Sequence, residues 1–168
     1  MSRPVIASLL ALSLPVVSAA AQPATRPGSS RYSAEIDAQV WKPIAASVAN
    51  HDIAAMSRAY HPGAVLVTNA GTRLVASALE GWGKDMVTMR KAGTKASVEL
   101  RFDRRQDDST TAFEAGAFKY STTDQAGKTE SRYTRMEALL TNEGGRWRTL
   151  MERQLEPITE AEWNRLPR

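Results

Sequence analysis

The sequence predicts a single α+β domain in which helices come first and an antiparallel sheet follows. Three observations indicate this. Apolar side chains recur at helical spacing in residues 33–60 and 74–92, residues 96–155 contain four strand-like stretches, and short turn-forming stretches separate those strands. With 168 residues, 42% of them hydrophobic, the chain is long enough for one packed core.

The first 21 residues are predicted to be a secretory signal peptide. Arg3 precedes a short apolar run from Val5 to Val17, and the small residues Ala19-Ala20-Ala21 are typical of a cleavage site. The run is shorter than the ~20 apolar residues that cross a bilayer, and Pro15 interrupts it. We therefore expect cleavage before Gln22, a periplasmic or secreted protein, and no membrane attachment afterwards.

A flexible leader is predicted at residues 22–32, which are rich in Pro, Gly and Ser, and the domain itself at 33–168. Ser33 is expected to cap the first helix. Pro43 should kink or restart that helix, because proline has no N–H to donate. Asp52 is expected to cap a second helix running to Tyr60. A buried strand at 64–68 and a third helix at 74–92 complete the first half.

Four strands are predicted to form an antiparallel meander: Ala96–Arg104, Thr110–Thr122, Glu130–Thr141 and Arg146–Leu155. The stretches between them are rich in Asp, Asn and Gly, which favour hairpin turns. A short terminal helix should follow, with a capping box between Thr159 and Glu162.

The turn positions predict which residues face one another across the hairpins. A turn centred between Gln125 and Ala126 places Glu114 opposite Glu137, and a turn at Glu143-Gly144 places Arg135 opposite Glu152. Because side chains alternate along a strand, one face of the sheet is then apolar and the other polar. The predicted polar face comprises Glu114, Phe118, Tyr120, Tyr133, Arg135, Glu137, Leu150, Glu152 and Gln154; the predicted apolar face comprises Phe113, Ala115, Ala117, Met136, Ala138, Leu140, Trp147 and Met151.

The polar face has two interpretations from the residues alone. It is either the solvated side of the sheet or the lining of a covered pocket. In a pocket, Glu114 and Glu137 form a like-charge pair that can supply one acid and one base. The alternative is that Arg135 lies among the acids and only orders the sheet.

Five short stretches follow one another in a distinctive order: Ala49-Asn50-His51-Asp52, residues 60–65, Ala112-Phe113-Glu114-Ala115-Gly116, Arg132-Tyr133-Thr134-Arg135 and Gly145-Arg146-Trp147-Arg148. Together they resemble the nuclear transport factor 2-like fold, and most closely its SnoaL-like branch, over roughly residues 35–154. The resemblance implies helices packed on a curved antiparallel sheet, with a cone-shaped pocket between them. It turns the polar face inward and makes the apolar face, with Ala115, Ala117, Met136 and Met151, the surface of a homodimer.

The same resemblance bears on chemistry. In the ketosteroid isomerase branch a pocket carboxylic acid lies five residues before the Asn of the last hairpin turn, and counting back from Asn142 gives Glu137. That branch also uses a Tyr and an Asp at positions that match Ala45 and Thr68 here. Since one acid cannot both remove a proton and stabilise the enolate that forms, steroid isomerisation is disfavoured.

Composition excludes several other classes of function. The net charge of +4 is small and the basic residues are scattered, which argues against nucleic-acid binding. The absence of cysteine excludes thiolate-type zinc sites, and two histidines, His51 and His61, leave little material for any metal cluster; both histidines are expected in loops. Phosphate-loop, serine-hydrolase and zinc-protease motifs do not occur, and no cofactor is expected.

The sequence thus predicts an exported SnoaL-like domain with a pocket for a small molecule. One hypothesis is a cofactor-free lyase, isomerase or hydrolase on a small, partly apolar substrate; the other is a non-catalytic module that binds a ligand or a partner protein. The enzyme requires a roomy pocket that reaches Glu137, whereas a pocket filled by Trp41, Tyr60 and Phe118 favours the module. The predicted catalytic residues are Glu137 and Glu114, and the predicted ligand-binding residues are Trp41, Tyr60, Thr68, Phe118, Tyr133, Arg135, Leu150 and Glu152.

Overall fold

A computed structural model describes residues 30–168. The predicted signal peptide and residues 22–29 of the predicted leader lie outside the described residues and stay predictions. The elements are α1 (Ser33–Ile36), a π-helical segment (Asp37–Trp41), α2 (Lys42–Asn50), α3 (Ile53–Ser57), β1 (Tyr60–Thr68), β2 (Gly71–Leu74), α4 (Val75–Lys91), β3 (Lys95–Asp107), β4 (Thr111–Thr123), β5 (Thr129–Glu143), β6 (Arg146–Pro157) and α5 (Glu160–Arg165). From residue 30 onward, no helix combines the length and the apolar character that crossing a bilayer requires.

The sheet has six strands in the order β2-β1-β6-β5-β4-β3. The predicted meander of β3, β4, β5 and β6 is confirmed, and β1 joins it in parallel beside β6. The sheet is curved and does not close, and the α+β class is confirmed. The core lies between α1, α2 and α4 and the concave face of this sheet, and it includes Ile36, Val40, Leu66, Leu140 and Trp147.

The first helical region is interrupted before Pro43, as expected. A π-helical segment ends at Trp41 and α2 starts afresh at Lys42, so Pro43 lies in a first turn, where its missing N–H costs nothing. The expected cap at Ser33 is wrong, because Ser33 is already helical and Tyr32 occupies the N-cap position. The Tyr32 N–H and the Ser30 hydroxyl both donate to the Asp107 carboxylate, which ties residues 30–32 to the end of β3.

The expected cap of α3 is confirmed: the Asp52 carboxylate accepts the Ala55 N–H at 2.9 Å. His51 just before it adopts a left-handed conformation that ends α2. The helix is shorter than expected and ends at Ser57, because Tyr60 already pairs with Thr149 as the first residue of β1.

The β4–β5 hairpin differs from the prediction by one residue. Thr123 pairs with Thr129, so the loop has five residues, Asp124–Lys128, instead of a two-residue turn. The Asp124 N–H donates to the Lys128 carbonyl, and Gly127 takes a positive φ of 84°. Because side chains alternate, this slip turns every residue of β5 to the opposite face. The expected Glu114–Glu137 pair is therefore wrong.

The actual partner of Glu114 is Ala138, and Glu137 pairs with Ala115 on the outer face. Tyr133 and Arg135 also point outward, while Met136, Ala138 and Leu140 point into the core. In these three positions the predicted apolar face is wrong, because the slip exchanges the two faces of β5.

The β5–β6 hairpin also departs from its predicted register. Its two-residue turn is Gly144-Gly145, with φ of 62° and 83°, and Glu143 pairs with Arg146. A β-bulge near Leu150 then shifts the register, so that Glu152 pairs with Ala138 and Arg153 pairs with Glu137. The expected Arg135–Glu152 pair is wrong. Trp147 faces the core, so its predicted place on the opposite, apolar face is also wrong. The bulge returns Glu152 to the concave face further along the strand.

The capping box of α5 between Thr159 and Glu162 is confirmed. From α5, Trp163 packs over Ala117 and Tyr133 on the outer face of the sheet, and the Arg101 guanidinium lies 4.3 Å from the Trp163 ring centre. Ala117 is consequently fully buried within the chain itself. The predicted dimer surface is thus wrong at Ala117, which α5 covers, and at Met136, which lies in the core.

Candidate functional site

A cavity of about 420 Å³ lies between α2, α4 and the concave face of the sheet. The π-helical segment contributes Trp41 to its wall, and one side of α4 contributes Trp82, Met86 and Met89. Most of the lining is apolar or aromatic, as is usual for sites that take small molecules. The lining residues are Trp41, Ile44, Val48, Tyr60, Trp82, Asp85, Met86, Met89, Val98, Leu100, Phe118, Tyr120, Arg132, Thr134, Met136, Glu152 and Gln154.

The polar floor of this cavity is formed by Glu152, Tyr60 and Gln154, and Glu152 at its centre is only 6% exposed. The Tyr60 hydroxyl donates to its Oε2 at 2.6 Å, and the Gln154 side-chain amide donates to its Oε1 at 2.8 Å. Within the described residues, no Lys, Arg or His nitrogen lies within 4.0 Å of it. Burial, and then the charge of Glu152, raise the pKa of Tyr60 well above its usual value. Tyr60 therefore stays a hydrogen-bond donor at any ordinary pH.

Behind the cavity wall lies a second buried carboxylate, Glu114. Its Oε2 accepts the Trp41 indole N–H at 2.5 Å, and its Oε1 accepts the Arg105 Nε–H at 2.7 Å. Arg105 in turn binds Asp37 at 2.6 Å. Burial raises the pKa of Glu114, although the Arg105 charge opposes that rise. This ion-paired network holds the π-helical segment on the sheet and fixes the orientation of the Trp41 ring.

Charge at the cavity mouth comes from Asp85 on α4 and Arg132 on β5. Both are exposed, in contrast to Glu152. The carboxylates of Asp85 and Glu152 and the guanidinium of Arg132 together carry one net negative charge when ionised, in a chain whose formal net charge is +4.

Four of the predicted site residues lie together on the cavity: Trp41, Tyr60, Phe118 and Glu152. Glu114 lies on the same face of the sheet, but it accepts the Trp41 indole N–H and does not line the cavity. Two predicted residues are held on the outer face by ion pairs, Arg135 with Asp103 at 2.6 Å and Glu137 with Arg153 at 3.3 Å.

The remaining predicted ligand-binding residues do not line the cavity either. Tyr133 packs against Trp163 on the outer face, with ring centres 5.8 Å apart. Thr68 ends β1 and accepts the Ala70 N–H in the following turn, and Leu150 lies at the bulge of β6. Counting back from Asn142 therefore leads to an outer-face residue, and the expected correspondence of Glu137 with a pocket acid is wrong.

The cavity lining also includes residues outside the predicted site set, namely Arg132, Gln154 and the α4 residues Trp82, Asp85 and Met89. The spacing of Trp82, Met86 and Met89 did indicate an apolar helix face, which could mark either core or pocket wall. Arg132 shares the face of Met136 by alternation, so a correct β5 register would have revealed it.

No family model matches the chain, and no curated protein matches it. Solved structures do match. One is a Xanthomonas campestris protein described as a calcium/calmodulin dependent protein kinase II association domain, with 20% identity and a TM-score of 0.54, over 84% of this chain and 94% of that one. A nuclear transport factor 2-like superfamily protein from Salmonella enterica has 16% identity and a TM-score of 0.58, over 76% and 92%.

A ketosteroid isomerase-like protein from Erwinia carotovora has 17% identity and a TM-score of 0.53, over 77% of this chain and 98% of that one. Together these likenesses define the class of fold: the chain has the nuclear transport factor 2-like fold, and this part of the sequence-based resemblance is confirmed. At such identities the likeness establishes the fold alone. The narrower assignment to the SnoaL-like branch stays a prediction.

Proposed function

We propose that this domain binds a small, mostly apolar molecule in the cavity between its helices and its sheet. The observation that carries the proposal is the combination of an open cavity of about 420 Å³ with a buried polar floor formed by Glu152, Tyr60 and Gln154. Trp41, Tyr60 and Phe118 line the space rather than fill it. An apolar ligand would gain free energy by leaving water, and the floor would orient it through hydrogen bonds.

A neutral fluorescent probe, N-phenyl-1-naphthylamine, tests the proposal directly. We expect its emission to rise on binding to the wild-type domain. Thr134→Phe should suppress this binding, because Thr134 lines the cavity beside Phe118 and a larger ring there occupies the space. Ser131→Phe is the matched control, since it adds the same ring to an exposed position of the same strand.

Both variants should show the circular dichroism spectrum of the folded wild type. Probe binding that is absent in the wild type, or that survives unchanged in Thr134→Phe, would contradict a ligand site in this cavity. Equal suppression in Ser131→Phe would mean that the probe binds elsewhere.

Proton transfer in the same cavity is a second candidate function. It is favoured by one contact, the hydrogen bond from the Tyr60 hydroxyl to the Glu152 carboxylate, because the two groups form a buried base with a neutral donor beside it. Such a pair suits a cofactor-free isomerase or lyase. The geometry does not support the pair Glu114–Glu137, whose members lie on opposite faces.

Exchange of α-protons tests this second candidate. Small enolisable ketones incubated with the protein in D₂O should lose their α-proton NMR signals, and Glu152→Gln should abolish that loss while retaining N-phenyl-1-naphthylamine binding. Exchange that is equally fast with Glu152→Gln, or no faster than with buffer alone, would leave binding as the function.

We also propose that the protein is exported, on the sequence pattern of residues 1–21 alone. Intact mass of the protein from the periplasmic or culture fraction should correspond to a chain that begins at Gln22. Leu10→Arg, which places a charge inside the apolar run, should retain the full-length chain in the cytoplasm. A wild-type chain that also stays there at full length would remove this part of the proposal.

A further inference from the structure

The floor of the cavity offers hydrogen-bond acceptors and almost no free donors. The single Tyr60 hydroxyl proton is already given to Glu152 at 2.6 Å, and the Gln154 amide also points to that carboxylate at 2.8 Å. An ionised carboxylate has about four acceptor positions on its two oxygens. Each oxygen of Glu152 accepts one bond from these partners, so positions remain for a donor from the ligand.

The floor also lacks a positive charge. Glu152 is 6% exposed, and both of its hydrogen-bond partners are neutral. Glu114, the other buried carboxylate of this face, has the Arg105 guanidinium at 2.7 Å. A buried carboxylate without a cation carries a desolvation cost that a positively charged partner offsets. In the described part of the chain, Arg132 is the one basic residue of the lining, and it lies at the exposed mouth together with Asp85.

The walls suit a cation as well as an apolar body. Five aromatic residues and three methionines line the space. Aromatic faces attract ammonium groups, and the attraction strengthens where water is excluded. Methionine side chains adapt to the shape of an apolar body. The aromatic residues are Trp41, Tyr60, Trp82, Phe118 and Tyr120, and the methionines are Met86, Met89 and Met136.

We propose that the ligand of this cavity is a hydrophobic amine, bound as its ammonium ion, with the N–H groups directed to the Glu152 carboxylate and the apolar part against the aromatic walls. The inference rests on the proposed function, since it names the chemical class of the molecule that the cavity takes. A neutral alcohol satisfies the acceptors but supplies no charge. A carboxylic acid, ionised at pH 7, brings a second negative charge to a floor where the Tyr60 hydroxyl proton and one Gln154 N–H are already given to Glu152.

Three probes with similar phenylalkyl bodies separate these possibilities: phenethylammonium, 2-phenylethanol and 3-phenylpropionate. Their dissociation constants are measured at pH 7 by displacement of N-phenyl-1-naphthylamine and by calorimetry. We expect phenethylammonium to bind about tenfold more tightly than the alcohol, in line with the strength of hydrogen bonds between charged groups, and the carboxylate to bind more weakly than both.

In Glu152→Gln the ammonium and the alcohol should bind about equally tightly, because the substitution keeps the shape of the side chain and removes its charge. Glu137→Gln is the matched control on the outer face, where Glu137 pairs with Arg153, and it should keep the wild-type preference. The wild-type order of the three probes needs no variant, so the test remains decisive if Glu152→Gln does not fold.

Failure of this inference is distinguishable from failure of the proposed function. If the ammonium and the alcohol bind equally and both displace the fluorescent probe, the inference of an amine ligand is wrong, but the cavity is still a ligand site. Tightest binding of 3-phenylpropionate also overturns it and points to Arg132 at the mouth. If the fluorescent probe itself does not bind to the wild-type domain, both the inference and the proposed function are wrong.

Discussion

Glu114 and Glu152 are both buried carboxylates on the concave face, but their surroundings differ. Glu114 is enclosed by the Arg105 guanidinium and the Trp41 indole N–H, so its charge is compensated within the chain. Glu152 faces the cavity with only neutral donors beside it. We infer that Glu114 positions Trp41, whereas Glu152 is the group available to a ligand.

Arg105 provides the sharpest test of this division at the level of residues. Arg105→Met should lower the free energy of unfolding by about 3–5 kcal/mol, because it leaves Glu114 buried without its cation. Arg135→Met is the matched control: Arg135 and Asp103 are about one-third exposed, so that change should cost about 0–1 kcal/mol. Urea unfolding followed by circular dichroism measures both. Equal costs would contradict the placement of Arg105 inside and Arg135 outside.

The pKa of Glu114 predicts a pH dependence with a definite sign. Burial raises the pKa of this carboxyl in the folded state, so the folded chain takes up its proton at a higher pH than the unfolded chain does. The contribution of Glu114 to stability therefore falls as the pH rises through the window between the ordinary and the raised pKa. Relative to Glu114→Gln, the wild type should gain stability as the pH is lowered from about 7 to about 4.

Urea unfolding of both chains at several pH values measures this difference. A stability difference that moves the opposite way, in favour of Glu114→Gln as the pH falls, would show that the Arg105 charge outweighs the effect of burial on Glu114.

At the level of elements, small irregularities in the strands decide which residues reach the site. The β-bulge near Leu150 directs Glu152 to the concave face, and the five-residue loop after Thr123 determines which face of β5 is inward. A further irregularity lies between β3 and β4. Gly116 pairs with Phe102 just where the register shifts around Asp103.

Gly116 permits the close approach of β3 and β4 at this shift. A Cβ there would lie 2.8 Å from the Phe102 Cα and would collide with the Arg101 carbonyl oxygen. Because both groups are backbone, Gly116→Ala should cost about 3 kcal/mol or more. Gly81→Ala, with nothing within 4 Å of its Cβ in the middle of α4, should instead stabilise the fold by about 1 kcal/mol.

Thermal unfolding of the two alanine variants checks both signs in one experiment. A Gly116→Ala chain as stable as the wild type would show that the two strands do not approach so closely at this position.

At the level of the whole molecule, α5 divides the outer face of the sheet into two parts. One part, at Ala117 and Tyr133, is covered by Trp163 and Leu166. The other carries half-buried apolar residues, Phe113 and Ala115 on β4, Leu139 on β5 and Met151 on β6. The predicted homodimer can use only this second part of the face.

Leu139→Glu tests the predicted dimer. Leu139 is central to the uncovered apolar residues, since it pairs with both Phe113 and Met151. A charge there should convert a dimer into a monomer in sedimentation velocity while the fold is kept. Ser131→Glu, on an exposed position of the same strand, should leave the oligomeric state unchanged. A wild type that sediments as a monomer at micromolar concentration would contradict the dimer.

Much of the fold was predictable because its signals are local. Pro43, Asp52 and the pair Thr159–Glu162 act on residues within one helical turn of themselves, and the structure confirms each of them. The meander was predictable for the same reason, since turn residues mark where strands end. On β4, where alternation alone decides, Phe118 lies on the cavity as expected.

The identity of the site depended on the tertiary structure. Glu137 and Met136 are neighbours in sequence, and only the length of the loop before β5 decides which of them faces the cavity. A five-residue loop and a two-residue turn contain similar residue types, but the registers that they produce differ by one residue. Because successive side chains of a strand point to opposite faces, a shift of one residue exchanges the two faces. Local patterns therefore determined the elements and their order, whereas the pairing of distant strands placed Glu152, and not Glu137, at the floor of the cavity.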